Sequence, residues 1–324
     1  MKKEKRNFIR STGRMPGVLP GAAICAALLL LTGCGNDNVA ETPGSDGRVA
    51  LQVSGGIQTR ATDAAWQTGD AIGIYMLEAG TTTLSESAGN RKYATADGDG
   101  KFSAGAAGQT IYFSVDGSTV DFRAYHPYRG TLSDGVFALD VSSQTDLPAI
   151  DLMSAKVEST PESPLDKNHP AVAFTFRHLL TKLELNISAG NGISADDLQG
   201  LKVEITKQRT AGSYAPHNEL LGVASEPVKT IAMNTAADGT LAQAILLPTT
   251  PADGINPVIA GRELVFTLKE TGEVFRYPLP DDKGFLTGDK NIYNITINRT
   301  SLAVTAEVQN WNPGNGSGEQ GSAE

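Results

Sequence analysis

The feature that most constrains the fold of this chain is the recurrence of apolar residues at every second position in short segments. In residues 182–187, leucine or isoleucine alternates with lysine, glutamate and asparagine, and residues 201–206 repeat the pattern. Such alternation places the apolar side chains on one face of a β-strand. A helical period is nearly absent, and only residues 194–200 could hold a short helical turn. The sequence therefore predicts an all-β protein built from antiparallel β-sandwiches.

The predicted strands fall into two groups of similar size. Between them, residues 160–170 contain three prolines and no apolar period, which is typical of a link between domains. We therefore predict an N-terminal β-sandwich domain over residues 49–170, a C-terminal one over residues 171–313, and a disordered tail over residues 314–324. The predicted strands are 49–53, 66–76, 109–115, 120–128, 136–141 and 151–155 in the first group, and 174–187, 201–206, 241–248, 263–269, 273–280, 292–298 and 301–311 in the second.

The N-terminus has the composition of a secretory signal. Six basic residues precede an apolar run that ends at Leu31-Thr32-Gly33-Cys34. Because small residues directly before a cysteine are typical of bacterial lipoproteins, we predict a signal peptide over residues 1–33, cleavage between Gly33 and Cys34, and a lipid on Cys34. A flexible tether would follow over residues 34–48. The alternative is an ordinary signal cut near Ala23 or Ala27 that leaves Cys34 unmodified.

Charge and cysteine content argue against several classes of function and site. Without the leader, residues 34–324 carry 21 Lys and Arg against 35 Asp and Glu, a net charge of −14. Such an acidic, exported chain is a poor candidate for nucleic-acid binding, which favours basic surfaces. Cys25 would leave with the leader and Cys34 would carry the lipid, so no thiol would remain for a disulfide, a zinc site or a nucleophile. The sequence therefore predicts stabilisation by burial, with no metal and no cofactor.

The sequence offers little that resembles a catalytic or metal site. None of the four histidines, His126, His169, His178 and His217, has another at metal-ligand spacing, and we expect each to be packed or solvent-facing. Residues 97–101 resemble the start of a calcium loop, but a lysine stands where a third oxygen ligand belongs, which favours a hairpin turn. Nucleophile elbows, phosphate-binding glycine loops and His-Glu-x-x-His helices are also missing from the sequence. We therefore predict that the protein is not an enzyme.

Seven short segments, in order along the chain, carry a resemblance to a known family. They are the motif at 31–34, Thr59-Arg60-Ala61, Trp66 with Gly69-Asp70 and Ile72-Gly73-Ile74-Tyr75, residues 122–128, residues 151–155, residues 174–187, and the closing strand that ends at Trp311. Together they resemble the fimbrillin family, the pilus subunits and related surface lipoproteins of Bacteroidetes. The resemblance covers most of the chain from Val49 to Trp311.

This resemblance implies two tandem transthyretin-like, Greek-key β-sandwich domains and export to the outer membrane as a lipoprotein. It also implies assembly by strand exchange: a trypsin-like protease cuts after an arginine, the first strand leaves, and a strand from a neighbouring subunit fills the groove. Arg60, followed by Ala61, matches that processing site by position, between the first strand and Trp66. Arg48 is the second basic candidate, but a cut there would leave residues 49–53 in place.

Two functions remain open on the sequence. The first is a structural or adhesive component of a cell-surface pilus, anchored in the outer membrane through the lipid on Cys34, with other pilus subunits as partners. The tail after Trp311 has no apolar alternation, so a donor strand would have to be residues 301–311, and a tip, accessory or anchor subunit fits as well as a stalk subunit. The second function is a non-polymerising surface lipoprotein that binds a glycan or host ligand.

Overall fold

The alternating segments form strands in the computed structural model, which describes residues 47–58, 65–250, 256–299 and 302–310. The predicted cleavage at Gly33 and lipid site at Cys34 lie outside these residues, as does the predicted processing site at Arg60–Ala61. Within them the regular secondary structure is almost entirely β-strand, which confirms the predicted all-β class. The transthyretin-like topology implied by the resemblance stays a prediction.

The described residues contain nineteen strands, one α-helix and two 3-10 helices. The strands are β1 (Gln52–Ile57), β2 (Ala71–Glu78), β3 (Arg91–Ala94), β4 (Lys101–Ala104), β5 (Val120–His126), β6 (Phe137–Asp140), β7 (Met153–Val157), β8 (Ala171–His178), β9 (Thr181–Ala189), β10 (Lys202–Arg209), β11 (Ala211–Ala215), β12 (Leu220–Val223), β13 (Val228–Ala232), β14 (Asn234–Thr235), β15 (Leu241–Leu246), β16 (Glu263–Thr267), β17 (Val274–Pro278), β18 (Asp289–Ile297) and β19 (Leu302–Asn310). Helix α1 spans Leu147–Ile150, and the 3-10 helices span Ala107–Gln109 and Asp196–Leu198. None of the helices in these residues has the length and hydrophobicity that crossing a membrane requires.

Seven strands close into a ring in the order β1-β4-β3-β2-β5-β7-β8, with β8 returning to β1. Neighbouring strands are antiparallel except β1 and β8, which run parallel. Because successive side chains of a strand point to opposite faces, alternate apolar residues meet inside the ring. They form one core, which includes Trp66, Phe102, Phe122, Phe174 and Phe176. With β1 in place, the ring leaves none of its seven strands as a free edge.

A second core lies between two open sheets of later strands. One sheet has the order β13-β10-β16-β17, and the other has the order β14-β15-β9-β18-β19. Their inward-facing residues, among them Leu183, Leu185, Val203 and Ile205, are buried in a single cluster. The alternation in β9 and β10 therefore has the predicted orientation. In the five-stranded sheet, β9 and β18 run parallel, while the other neighbours are antiparallel.

Two strands pair across the predicted boundary at residue 170. β8 lies in the segment assigned to the C-terminal domain, yet it pairs with β1 and β7, and its Phe174 and Phe176 belong to the first core. Conversely, β6 joins the three-stranded sheet β12-β11-β6, and its Phe137 and Leu139 pack in the second core. A proline-rich composition indicates a link but not which strands pair on either side of it. The division into two domains stays a prediction.

Candidate functional site

Strand β1 occupies a slot between β4 and β8, and this slot is the candidate functional site. On one side β1 is antiparallel to β4. On the other side it runs parallel to β8 over six residue pairs, from Gln52 opposite Ala171 to Ile57 opposite Phe176. Since closure of the ring depends on these two ladders, removing β1 would leave the facing edges of β4 and β8 unpaired.

The two faces of β1 differ in exposure. Leu51, directly before the strand, and Val53 point into the first core and are 5% and 8% exposed, whereas Gln52, Ser54 and Gly56 face solvent. Burial of each large aliphatic side chain contributes roughly 1.5–3 kcal/mol. The register of β1 is fixed, because a slip of one residue would turn its apolar side chains outward.

The strand is placed further along the chain than the sequence predicts. The alternation indicated residues 49–53, whereas the regular strand runs from Gln52 through Gly55-Gly56 to Ile57. Glycine weakens a strand because it is conformationally free, but here the ladders to β4 and β8 hold its backbone. Before the strand, single hydrogen bonds hold the chain: the Leu51 N–H donates to Ile111 O at 2.9 Å.

Gly55 lies where β1 passes between two aromatic rings. A β-carbon at this position would stand 3.1 Å from Cε2 of Phe176 and 3.2 Å from Cε2 of Phe102, which is tighter than ordinary contact. The backbone is held as well: the Gly55 N–H donates to Gly100 O at 2.8 Å, and the Trp66 indole N–H donates to Gly55 O at 2.7 Å. We call the arrangement of Phe102, Phe176 and Trp66 around Gly55 the Gly55 notch.

Trp66 is held in place by three rings. Its own ring meets Phe102, His126 and Phe176 edge to face, with centroids 5.0, 5.3 and 5.2 Å apart. This is the arrangement that the charge distribution of aromatic rings favours. Trp66 follows the predicted processing site at Arg60 in the chain, so a cut there would leave it with the later strands.

The turn between β3 and β4 packs against the backbone of Gly55. Gly100 has a φ of +80°, and a β-carbon there would stand 2.5 Å from Gly55 O, so glycine permits this close approach. Asp99 Oδ1 accepts the Lys101 N–H at 2.9 Å, and this hydrogen bond lowers the pKa of the Asp99 carboxyl group. The antiparallel pairing of β3 with β4 confirms the predicted hairpin turn at residues 97–101.

A cleft of about 230 Å³ beside the end of β1 brings two of the four histidines together. His126 and His178 both pair with Met153, from opposite sides of β7, a proximity that sequence spacing does not reveal. His178 Nδ1 lies 2.9 Å from Asp151 Oδ1, and His126 Nδ1 lies 3.0 Å from Ala71 O.

Burial shapes the chemistry of this cleft. It lowers the pKa of His126, which favours the neutral ring. Across the part of the chain that the structure describes, no group of three or more His, Cys, Asp or Glu side chains is arranged to hold a metal ion. The other two histidines lie elsewhere: the His169 Nδ1 is 2.9 Å from Asp166 Oδ1, and the His217 ring centroid is 6.4 Å from that of Tyr75.

Solved structures of known proteins share this fold. A candidate cell adhesion protein from Bacteroides uniformis is 40% identical in sequence, with a TM-score of 0.69 over 82% of this chain and 99% of that one. A candidate cell adhesion protein from Bacteroides ovatus has a TM-score of 0.63 over 83% of this chain and 99% of that one. At 22% identity, the second structure shows a common fold alone.

Sequence comparison identifies the family. A protein of Bacteroides uniformis named as a candidate fimbrium subunit, Fim1C, is 44% identical over 320 residues, which cover 94% of this chain and 99% of that protein. The sequence model described as fimbrillin-like matches residues 59–311, from the segment with Arg60 to the closing strand. Both matches confirm the resemblance found in the sequence. The chain belongs to the fimbrillin-like family.

Proposed function

We propose that the chain is a subunit of a cell-surface pilus and accepts a strand from a neighbouring subunit in the slot of β1. It would reach the outer membrane as a lipoprotein anchored through Cys34, and a trypsin-like cut between Arg60 and Ala61 would release β1. Two relatives support the broader function, because one is named as a candidate fimbrium subunit and the other as a candidate cell adhesion protein.

The observation that carries this proposal is the position of β1 in the ring. β1 closes the ring, and Arg60 follows it in the chain, before Trp66. A cut after Arg60 would separate all of β1 from the later strands, while β4, β8 and Trp66, which form the walls of the slot, would remain. Arg48 precedes β1, so a cut there would leave the slot filled; its guanidinium also lies over the Tyr112 ring, 4.6 Å from the centroid.

Loss of β1 would favour the addition of another strand. The facing edges of β4 and β8 would expose N–H and C=O groups, and the first core would lose Leu51 and Val53. An edge with unpaired backbone and exposed apolar area is a ready site for a strand from another chain. A strand that supplies both ladders and two aliphatic side chains would restore what β1 provided.

The alternative, a surface lipoprotein that binds a glycan or host ligand, has no comparable support. Among the residues that line the cleft beside β1, Trp66 is the one tryptophan, tyrosine or phenylalanine. Its ring is in contact with Phe102, His126 and Phe176, and only 9% of the residue is exposed. Trp66 therefore packs against the wall of the slot and is not exposed for ligand binding. Membership of a family of fimbrial proteins also supports a function without catalysis.

The proposal is tested by the N-terminal residue of the protein in assembled surface fibres, determined by intact mass. We expect Ala61 as the first residue in wild-type fibres. The Arg60→Gln chain should form no fibres, because a trypsin-like protease does not cut after glutamine. Arg48→Gln is the matched control and should assemble normally. Fibres that contain only a lipidated chain starting at Cys34 would contradict the proposal.

A further inference from the structure

We propose that His126 is a pH-sensitive switch on β1: in mildly acidic solution its ring takes up a proton, and Trp66 and β1 then open more often toward solvent. The inference concerns the uncut chain and does not depend on strand exchange. It adds a condition, mild acid, under which the slot of β1 opens more readily.

His126, the last residue of β5, contacts both ends of the short segment that leads into β2. Its ring meets the Trp66 ring edge to face, with centroids 5.3 Å apart and an interplanar angle of 78°. Its Nδ1 lies 3.0 Å from Ala71 O. Between these two contacts, the Gln67 N–H donates to Asp70 Oδ2 at 2.8 Å, which closes a turn. His126 therefore stabilises the position of the segment that carries Trp66.

Trp66 connects His126 to β1. The Trp66 indole N–H donates to Gly55 O at 2.7 Å, in the middle of the strand. The end of β1 is close as well, since Ile57 lines the same cleft as Trp66 and His126. A displacement of Ile57 or Trp66 would open the wall of this cleft and admit water to the His126 ring. Opening of β1 and hydration of His126 are therefore linked.

The closed form of the chain favours a neutral His126. The Ala71 carbonyl group can only accept a hydrogen bond, so Nδ1 carries the proton of the neutral ring, and a further proton would go to Nε2. The residue is 8% exposed, and burial is the main cause that lowers its pKa. A protonated ring is therefore more stable where water can reach it.

The charged groups nearest to His126 do not offset this burial. The Asp70 and Asp151 carboxylates raise the pKa of His126, whereas His178 and above all burial lower it, and the outcome is a lowered pKa. The Asp151 carboxylate is also bonded to the other histidine of the cleft, with Oδ1 2.9 Å from His178 Nδ1.

The β9 side of the cleft is no more favourable to a proton. Lys182, which lines the cleft, has its Nζ 3.8 Å from Glu184 Oε2, and Lys290 Nζ lies 3.1 Å from the same oxygen. Two ammonium groups share one carboxylate, so these three groups carry a net positive charge. Such a charge disfavours a second cation nearby.

The linkage between proton uptake and opening gives the direction and the size of the effect. A histidine in water has a pKa of about 6.5. Below that pH the open form takes up a proton while the closed form keeps a neutral ring, so acid favours the open form. About one pH unit below the ordinary value, protonated rings outnumber neutral ones about tenfold in the open form, so β1 should open about three to ten times more often.

Hydrogen exchange of the full-length, uncut chain at about pH 7.5 and about pH 5.5 tests the switch, with each rate corrected for the exchange of unstructured peptide at that pH. The protection of the β1 amides should fall about three- to tenfold in acid, and that of the β16 amides, in another sheet, should change less than about twofold. Asp289 titrates over the same interval, because burial raises its pKa to about 6. It acts in the opposite direction, since the folded chain takes up that proton more readily than the unfolded one.

His126→Phe should abolish the acid response of β1. The phenyl ring keeps an edge against Trp66 and has no nitrogen to protonate, and Ala71 O still accepts the Tyr128 N–H at 3.0 Å. Protection of β1 should then differ less than about twofold between the two pH values. His126→Asn, whose amide nitrogen can replace Nδ1 as donor, takes its place where the phenylalanine variant does not fold. His169→Gln, at a more exposed histidine outside the cleft, is the control and should keep the wild-type response.

Three results would overturn the proposal. The first is equal β1 protection at both pH values in the wild-type chain, and the second is an acid response that persists without His126. The third is an equal loss of protection in β1 and β16, which would indicate general destabilisation by acid. Because the chain stays uncut throughout, none of these results decides whether β1 leaves after a cut at Arg60.

Discussion

Adjacent glycines in β1 have opposite surroundings, and a valine at each position tests the Gly55 notch in the uncut chain. At Gly55 a side chain would press on Phe102 and Phe176, whereas at Gly56 a β-carbon meets nothing within 4 Å. Gly55→Val should lower the free energy of unfolding by about 1–3 kcal/mol, and Gly56→Val should change it by less than about 0.5 kcal/mol. Urea unfolding measures both. Equal losses would mean that the rings do not restrict side-chain size at Gly55.

Single residues also show how far the sequence predicted the slot. The predicted strand at residues 49–53 includes Leu51 and Val53, and the structure buries both side chains. That predicted strand ended before Gly55-Gly56, since a glycine in a sequence does not reveal which rings will surround it. The hydrogen bond from the Trp66 indole N–H to Gly55 O could not be predicted either, since it depends on how the chain returns to the slot after β1.

At the scale of elements, Trp66 should control how often β1 opens from the ring. The Trp66→Phe chain keeps an aromatic ring beside Phe102 and Phe176 but loses the N–H donor to Gly55 O. A lost hydrogen bond of this kind is worth about 1 kcal/mol, so exchange of the β1 amides should accelerate about fivefold. Hydrogen exchange followed by mass spectrometry measures this change.

The amides of β9 provide the internal control for Trp66→Phe, because β9 lies in another sheet. Their exchange should stay as in the wild-type chain. Acceleration that is uniform over β1 and β9 would indicate a global loss of stability and would contradict a specific role of Trp66 at the slot.

Alternation predicted which face of a strand is buried but not which strands become neighbours. Residues 182–187 show the predicted inward face, yet nothing in their pattern indicates that β9 pairs in parallel with β18. The same limit applies to β8, whose apolar residues fit the core of the ring as well as they would fit a second sandwich. Neighbours are decided by the ladders and the packing of the whole sheet, and a period of two carries no information about either.

At the scale of the whole molecule, Gln144 joins the two predicted groups of strands. Its side chain is bonded to the backbone of Ile245 in both directions: Nε2 donates to Ile245 O at 2.9 Å, and Oε1 accepts the Ile245 N–H at 2.7 Å. Gln144 is 4% exposed, so these groups are shielded from water. The hydrogen bonds between Gln144 and Ile245 act together with the pairing of β6 and β11, which also connects the two groups of strands.

Gln144→Ala should therefore destabilise the protein as a whole. Truncation of the Gln144 side chain leaves the N–H and C=O groups of Ile245 without these partners. This should lower the free energy of unfolding by about 2–3 kcal/mol. Gln199→Ala, at an exposed glutamine, is the matched control and should cost less than about 0.5 kcal/mol. Calorimetry measures both. If Gln144→Ala lowers the free energy of unfolding no more than Gln199→Ala does, the hydrogen bonds between Gln144 and Ile245 do not contribute to stability.

The placement of β1 also determines how a joint made in its slot would bear tension. β1 is bonded to β4 on one side and to β8 on the other. A pull along the strand axis loads the bonds of both ladders simultaneously, in shear, whereas a pull across the axis would peel them apart one after another. In a row of subunits joined by strands in this slot, tension would act along the inserted strand, so each joint would resist with its full set of bonds.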